Sequence, residues 1–129
     1  IAENYKGTVS SDIAKFYLAD DHYNNDKGDE SLALYLELSK TLKDELLLSS
    51  VLNKIANIYL DQDQIKLAIK YYEKASSSIT INSLSLRYKL NLAKAYKLNN
   101  NYKKATTILD NIINEKDLKY DIFSYYLCG

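Results

Sequence analysis

The chain has no proline, no methionine and no tryptophan; it has one cysteine (Cys128), one histidine (His22) and three glycines in 129 residues. Each shortage closes off a class of molecule. Without proline nothing breaks a helix interior, since proline removes a backbone donor and clashes with the preceding turn. One cysteine allows no internal disulfide and no thiolate-based zinc site. Three glycines leave no phosphate-cradling loop. No apolar run approaches the roughly 18 residues that suggest a membrane span, and no signal peptide is legible at the start. The chain opens at Ile1 rather than methionine, and we expect it to be a piece of a longer protein. What remains is ordinary for a folded domain: 47% hydrophobic and 26% charged residues, in a length that suits one continuous core.

The strongest positive signal is internal repetition. Ala19, Ala56 and Ala93 stand 37 residues apart, each after a bulky aliphatic residue: Leu18, Ile55 and Leu92. At the same offset Tyr59 meets Tyr96, Lys66 meets Lys103, Ala68 meets Ala105 and Tyr72 meets Leu109. A period of this length marks a stack of like supersecondary units. Each stretch reads as two helices around a short polar turn. Leu52, Ile55, Ala56 and Tyr59 recur at three- and four-residue steps, as do Ile65, Ala68, Ile69, Tyr72 and Ala75, which is the stripe of an amphipathic helix. Asp61, Asp63 and Asn99 to Asn101 supply turn and cap chemistry, and Gly28 is expected to take the left-handed position in the first unit.

Leu52, Ile55, Ala56, Tyr59, Ala68, Tyr72 and Ala75 follow the order of the tetratricopeptide signature, and this pattern resembles that repeat. In the next unit Leu92, Ala93, Tyr96, Ala105 and Leu109 fit, while Lys89 and Ile112 replace the leading large residue and the last alanine. The closing proline is absent. The resemblance implies an all-α fold, a right-handed α-solenoid of antiparallel helix pairs. It implies a single domain over residues 1–129, with units at about 9–43, 45–78 and 83–115 and a partial fourth at 118–129, where Tyr125, Cys128 and Gly129 match a first helix. The first unit departs from the pattern. His22 replaces the tyrosine, its turn reads as two residues longer (Ala19 to Ala33 against Ala56 to Ala68), and its second helix carries Leu32, Ala33, Leu36 and Leu38. Tyr17, Tyr59, Tyr72 and Tyr96 are expected in packed interiors; Tyr71, Tyr102 and Tyr120 are expected half exposed.

Charge is unevenly spread. Residues 1–47 carry 10 acidic and 5 basic side chains, and residues 48–129 carry 7 acidic and 12 basic. Such a dipole is able to steer a charged partner. Arg87, Lys89, Lys94, Lys97, Lys103 and Lys104 form a basic cluster. A chain with no net charge lacks the basic face of a nucleic-acid binder, so no nucleic acid is expected. Catalysis has little to stand on. His22 and Cys128 lie three units apart in a stack whose units meet only their neighbours. Adjacent Asp20 and Asp21 point about 100° apart on a helix and are read as solvated surface. No enzyme activity, no cofactor and no metal are expected.

The resemblance places the first helix of each pair on a concave face. Residues off the Leu/Ala/Tyr stripe should line it: Phe16, Asp20 and Tyr23, then Asn53, Asn57 and Leu60, then Leu90, Lys94 and Lys97. The implied function is a non-catalytic scaffold for a protein or peptide partner. Asparagines would bond a peptide backbone and lysines would meet acidic side chains. The chaperone-tail subclass resembles a Lys/Asn, Asn, Lys/Arg clamp for two carboxylates; Phe16 and Asp20 break it in the first unit, and Asn53 breaks it one unit later. Two further resemblances are a peptide-sensing bacterial regulator and the periplasmic domain of a membrane-anchored ancillary protein of the bacterial Sec translocon. The compartment is accordingly open: cytoplasmic, or periplasmic if an anchor precedes Ile1. Oligomeric state is open too.

Overall fold

The computed structural model describes residues 9–114. Six helices follow in order: α1 (Val9–Asn24), α2 (Gly28–Thr41), α3 (Glu45–Asp61), α4 (Ile65–Ser77), α5 (Asn82–Leu98) and α6 (Tyr102–Asn114). No strand occurs among the described residues. Each helix packs on its neighbours in the chain, so three antiparallel hairpins, α1–α2, α3–α4 and α5–α6, stack side by side. The fold is an all-α helical repeat. The fourth unit expected at 118–129, with Tyr120, Tyr125, Cys128 and Gly129, lies outside the described residues.

The repeat is most exact in its turns. Asp26, Asp63 and Asn100 alone among described non-glycine residues have positive φ, at 60°, 60° and 63°, and they stand 37 residues apart. The amides of Lys27, Gln64 and Asn101 donate to the carbonyls of His22, Tyr59 and Tyr96 at 2.9, 2.8 and 2.8 Å. The amides of Asp26, Asp63 and Asn100 donate to the carbonyls of Tyr23, Leu60 and Lys97. This paired pattern is a Schellman closure, which satisfies otherwise orphaned carbonyls at a helix end. Aspartate and asparagine tolerate the left-handed backbone better than other L-residues. Gly28, expected in that role, is instead the first residue of α2.

All three turns have the same length, so the expected two-residue lengthening of the first turn is not there. The register runs on unbroken into α2, and Ser31 rather than Ala33 stands with Ala68 and Ala105. Ser31 is fully buried and Ala33 exposed. The Ser31 hydroxyl donates to the Gly28 carbonyl at 3.1 Å, which satisfies it inside an otherwise alanine-lined seam. The buried face of α2 is Ser31, Tyr35 and Leu38, while Leu32 and Leu36 are only half-buried.

The core runs along the stack. Ala19, Tyr35, Leu38, Val51, Ile55 and Ile58 close the junction of the first two hairpins. Ala56, Ala68, Ile69, Tyr72, Leu92 and Ala95 close the next. Small residues at Ala56 and Ala68 let α3 and α4 approach closely. Ile55 and Leu92 are buried because a preceding hairpin covers them. Leu18, their counterpart in α1, is 48% exposed, since no hairpin precedes it among the described residues. Tyr17, expected in the core, is 69% exposed for the same reason.

Helix starts differ between units. The Asp44 carboxylate caps α3 by accepting from the Leu47 amide at 3.0 Å. Its counterpart before α5 is Ile81, which supplies no side-chain cap.

Candidate binding face

The nine residues expected on the first-helix face belong to α1, α3 and α5, one set per hairpin. Side chains bridge these helices. The Asp20 carboxylate accepts from the Tyr35 hydroxyl and from Lys54 Nζ at 2.8 Å. The Lys54 ammonium also lies 5.3 Å from the Phe16 ring centroid and 5.9 Å from those of Tyr23 and Tyr35. Asp20, expected as solvated surface, is therefore the centre of an ion pair joining two hairpins. Its side chain and that of Lys54 are each 26% exposed. Lys54 was not among the expected residues. Its only sequence signal is an opposite charge 34 positions from Asp20.

Asn57 repeats this arrangement one unit later without the charge. Its Oδ1 accepts from the Tyr72 hydroxyl, and its Nδ2 donates to Tyr23 Oη at 3.3 Å. Tyr35 to Asp20 and Tyr72 to Asn57 are thus the same intra-hairpin bond, 37 residues apart. The third unit has Lys94 and Leu109 at these positions and cannot make it. Asn53 Oδ1 accepts from Asn91 Nδ2 at 3.0 Å, tying α3 to α5. Leu60 is half-buried against the Ala56 cluster. Lys94 and Lys97 are exposed. Leu90, expected on this face, is 8% exposed and packs on Ile112 of α6; it lies beneath the face because its helix position points at the partner helix.

The Tyr35 and Tyr72 hydroxyls are held as donors. Burial, then the bond to Asp20, keeps Tyr35 protonated well above the usual tyrosine range. Tyr72 is pushed up to about 12, mainly by burial and then by Tyr23 and Asp61. The face thus presents bridged amides, a neutralised carboxylate and, at its α5 end, two exposed ammonium groups. His22 is half-buried. Among the described residues no three His, Cys, Asp or Glu side chains gather to hold a metal, and no helix is long and apolar enough to cross a membrane.

The family model described as the tetratricopeptide repeat matches residues 49–78, which run from α3 through α4. That stretch is similar to one tetratricopeptide repeat, in a chain whose fold is an all-α helical repeat. A solved structure titled "putative kinesin light chain nearly identical TPR-like repeats", from Podosopora anserina, shares its fold with a TM-score of 0.59 at 21% identity. The similarity covers 78% of this chain and 52% of that one, so the TPR-like chain spans about half the length of that structure. No curated protein matches it significantly. In this TPR-like stack the α3–α4 hairpin, the best match to the repeat signature, carries the central members of the face, Asn53 and Asn57.

Proposed function

We propose that this chain is a non-catalytic scaffold that holds a peptide or protein partner along the face made by α1, α3 and α5. Tetratricopeptide repeats as a class mediate protein–protein interaction. The observation that carries the reading is the cross-hairpin ladder of Asp20–Lys54, Tyr23–Asn57 and Asn53–Asn91. It fixes the three first helices side by side and makes their polar residues one continuous surface. Positions of equal register along it run from Asp20 through Asn57 to Lys94. Asp20 is paired with Lys54, and the exposed ammonium groups at the α5 end of the face belong to Lys94 and Lys97. A partner segment with carboxylates directed toward α5 fits that gradient.

The test is capture of a partner by the full-length protein, repeated with Lys94→Glu/Lys97→Glu and with Asn57→Ala. The lysine pair should lose capture, and the loss should shrink as salt rises, with helicity retained. Unchanged capture by both variants removes this face as the binding surface.

A further inference from the structure

The other side of the stack, formed by the second helices, carries a discontinuity that the repeat itself exposes. Between α2 and α4 the space above α3 is filled by a ring: Tyr71 lies against Tyr59 with centroids 5.6 Å apart, and both pack on the first core cluster beside Leu36. Lys70 and Lys74 lie 5.8 and 4.9 Å from the Tyr71 ring centroid. One register step later, between α4 and α6, Tyr96 stands for Tyr59 but Ile108 stands for Tyr71. The second ring is missing. In its place is a groove of about 460 Å³ formed by Leu92, Tyr96, Ile108, Glu73, Lys103 and Lys104, with Thr107 at its edge. That volume is within the range of roughly 300–1,000 Å³ typical of ligand sites.

The groove has a fixed polarity. The Tyr96 hydroxyl donates to Glu73, and burial followed by that bond pushes Tyr96 up to about 12, so the ring stays neutral and anchored. Lys104 Nζ lies 5.6 Å from the Tyr96 ring centroid. Neither Lys103 nor Lys104 has a carboxylate within ion-pair distance among the described residues. The Thr107 hydroxyl is turned inward to the Lys103 carbonyl at 2.9 Å. The α4 wall is therefore acidic and committed, and the α6 wall is basic, with no carboxylate paired to it among the described residues.

We propose that this groove receives an aromatic side chain from a short acidic segment of a partner protein. The incoming ring takes the place over Tyr96 that Tyr71 takes over Tyr59, and flanking carboxylates pair with Lys103 and Lys104. The protein's own second unit is the template for the aromatic anchor: the same floor, one step earlier, is covered by a tyrosine with cations beside it. Offset stacking on Tyr96 and burial against Leu92 and Ile108 supply affinity. The two lysines supply orientation and salt sensitivity. This site does not depend on the first-helix face and shares no residue with it.

The test uses the 129-residue chain and a fluorescein-labelled peptide, Gly-Ser-Asp-Glu-Tyr-Asp-Glu-Ser-Gly, titrated by fluorescence polarisation, with tyrosine and methyl NMR to locate binding. Saturable binding with a Kd of about 100 µM or tighter, with shifts at Tyr96 and Ile108, is the expected result. Ile108→Tyr copies the second unit's packing into the third and should abolish binding while circular dichroism stays unchanged. Lys103→Glu/Lys104→Glu should weaken binding roughly tenfold or more and flatten its salt dependence, and it keeps the test valid if the tyrosine variant misfolds. Lys94→Glu/Lys97→Glu should leave the affinity within about twofold, which separates this site from the first-helix face. The proposal is overturned by a Kd weaker than about 1 mM, by equal binding of a peptide with alanine for its tyrosine, by equal binding of a lysine-for-acid peptide or of single-stranded RNA, or by unaltered binding to a folded Ile108→Tyr variant.

Discussion

Asp26, Asp63 and Asn100 hold a backbone conformation that costs an ordinary L-residue about 1–2 kcal/mol, and they hold it at the same register position in every hairpin. Asp63→Val should lower stability by about 1–2 kcal/mol and Asp63→Gly should not, as read by chemical denaturation; equal losses in both would show that the side chain rather than the backbone matters. Ile81 presents the reverse opportunity. It is 41% exposed, extended, and stands where Asp44 caps the preceding first helix. Ile81→Asp should supply the missing acceptor at α5 and raise stability by about 1 kcal/mol, seen as a higher Tm with unchanged helicity. Two tyrosines, buried Tyr72 and half-buried Tyr96, set an alkaline limit. Tyr72 and Tyr96 are pushed up to about 12 from a usual value of 10.0, chiefly by burial, so the folded state keeps protons that the unfolded state releases. Their contribution is complete below pH 10 and is lost as pH climbs through 12. Tyr72→Phe should flatten part of that loss in denaturation curves taken between those limits; a curve identical to the parent's would contradict the assignment.

At the scale of elements, one ammonium group supplies the ion pair between the first two hairpins, beside their apolar core. Lys54 pairs with Asp20 and lies near the faces of three rings. Removing it leaves Asp20 bonded to Tyr35 with no compensating charge. Lys54→Met should cost about 1–2 kcal/mol, and the cost should fall on α1–α2, as faster amide exchange there than in α5–α6. The Tyr72–Asn57 bond joins α4 to α3 inside one hairpin. A double-mutant cycle with Tyr72→Phe and Asn57→Ala should return a coupling of about 1 kcal/mol, and the same cycle on Leu109 and Lys94 should return none.

For the whole molecule, stability is expected to be a sum of hairpin and nearest-neighbour terms. The α3–α4 hairpin has packed neighbours on both sides, whereas Ile13, Tyr17 and Leu18 on α1 are exposed. Amide exchange should therefore be slowest in α3 and α4. A single uniform protection across all six helices would show that the stack opens only as a unit.

The periodicity of 37 and the absence of proline made the helical repeat legible, because both depend on local spacing. Ala56 with Ala68, and Ile55 with Leu92, fell where their stripes put them. The first unit was misread where a buried residue was polar: Ser31 did not look like a seam residue, so Ala33 was taken for one and a turn was lengthened to fit. Tyr17 and Leu90 were misplaced for a complementary reason. Helical periodicity says which residues share a face, but what covers that face is decided by another hairpin. Lys54 was missed because the bonds between first helices, Asp20–Lys54, Tyr23–Asn57 and Asn53–Asn91, span 34, 34 and 38 positions, not 37. That offset comes from how one helix slides along the next.

Sequence alone thus determined the helices, their order and the antiparallel turn between each pair, since backbone preference and hydrophobic spacing act over a few residues. Which polar groups meet across hairpins, which apolar faces stay uncovered, and where a missing ring opens a groove were decided only by tertiary packing, since each depends on the distance and tilt between helices that no local pattern encodes.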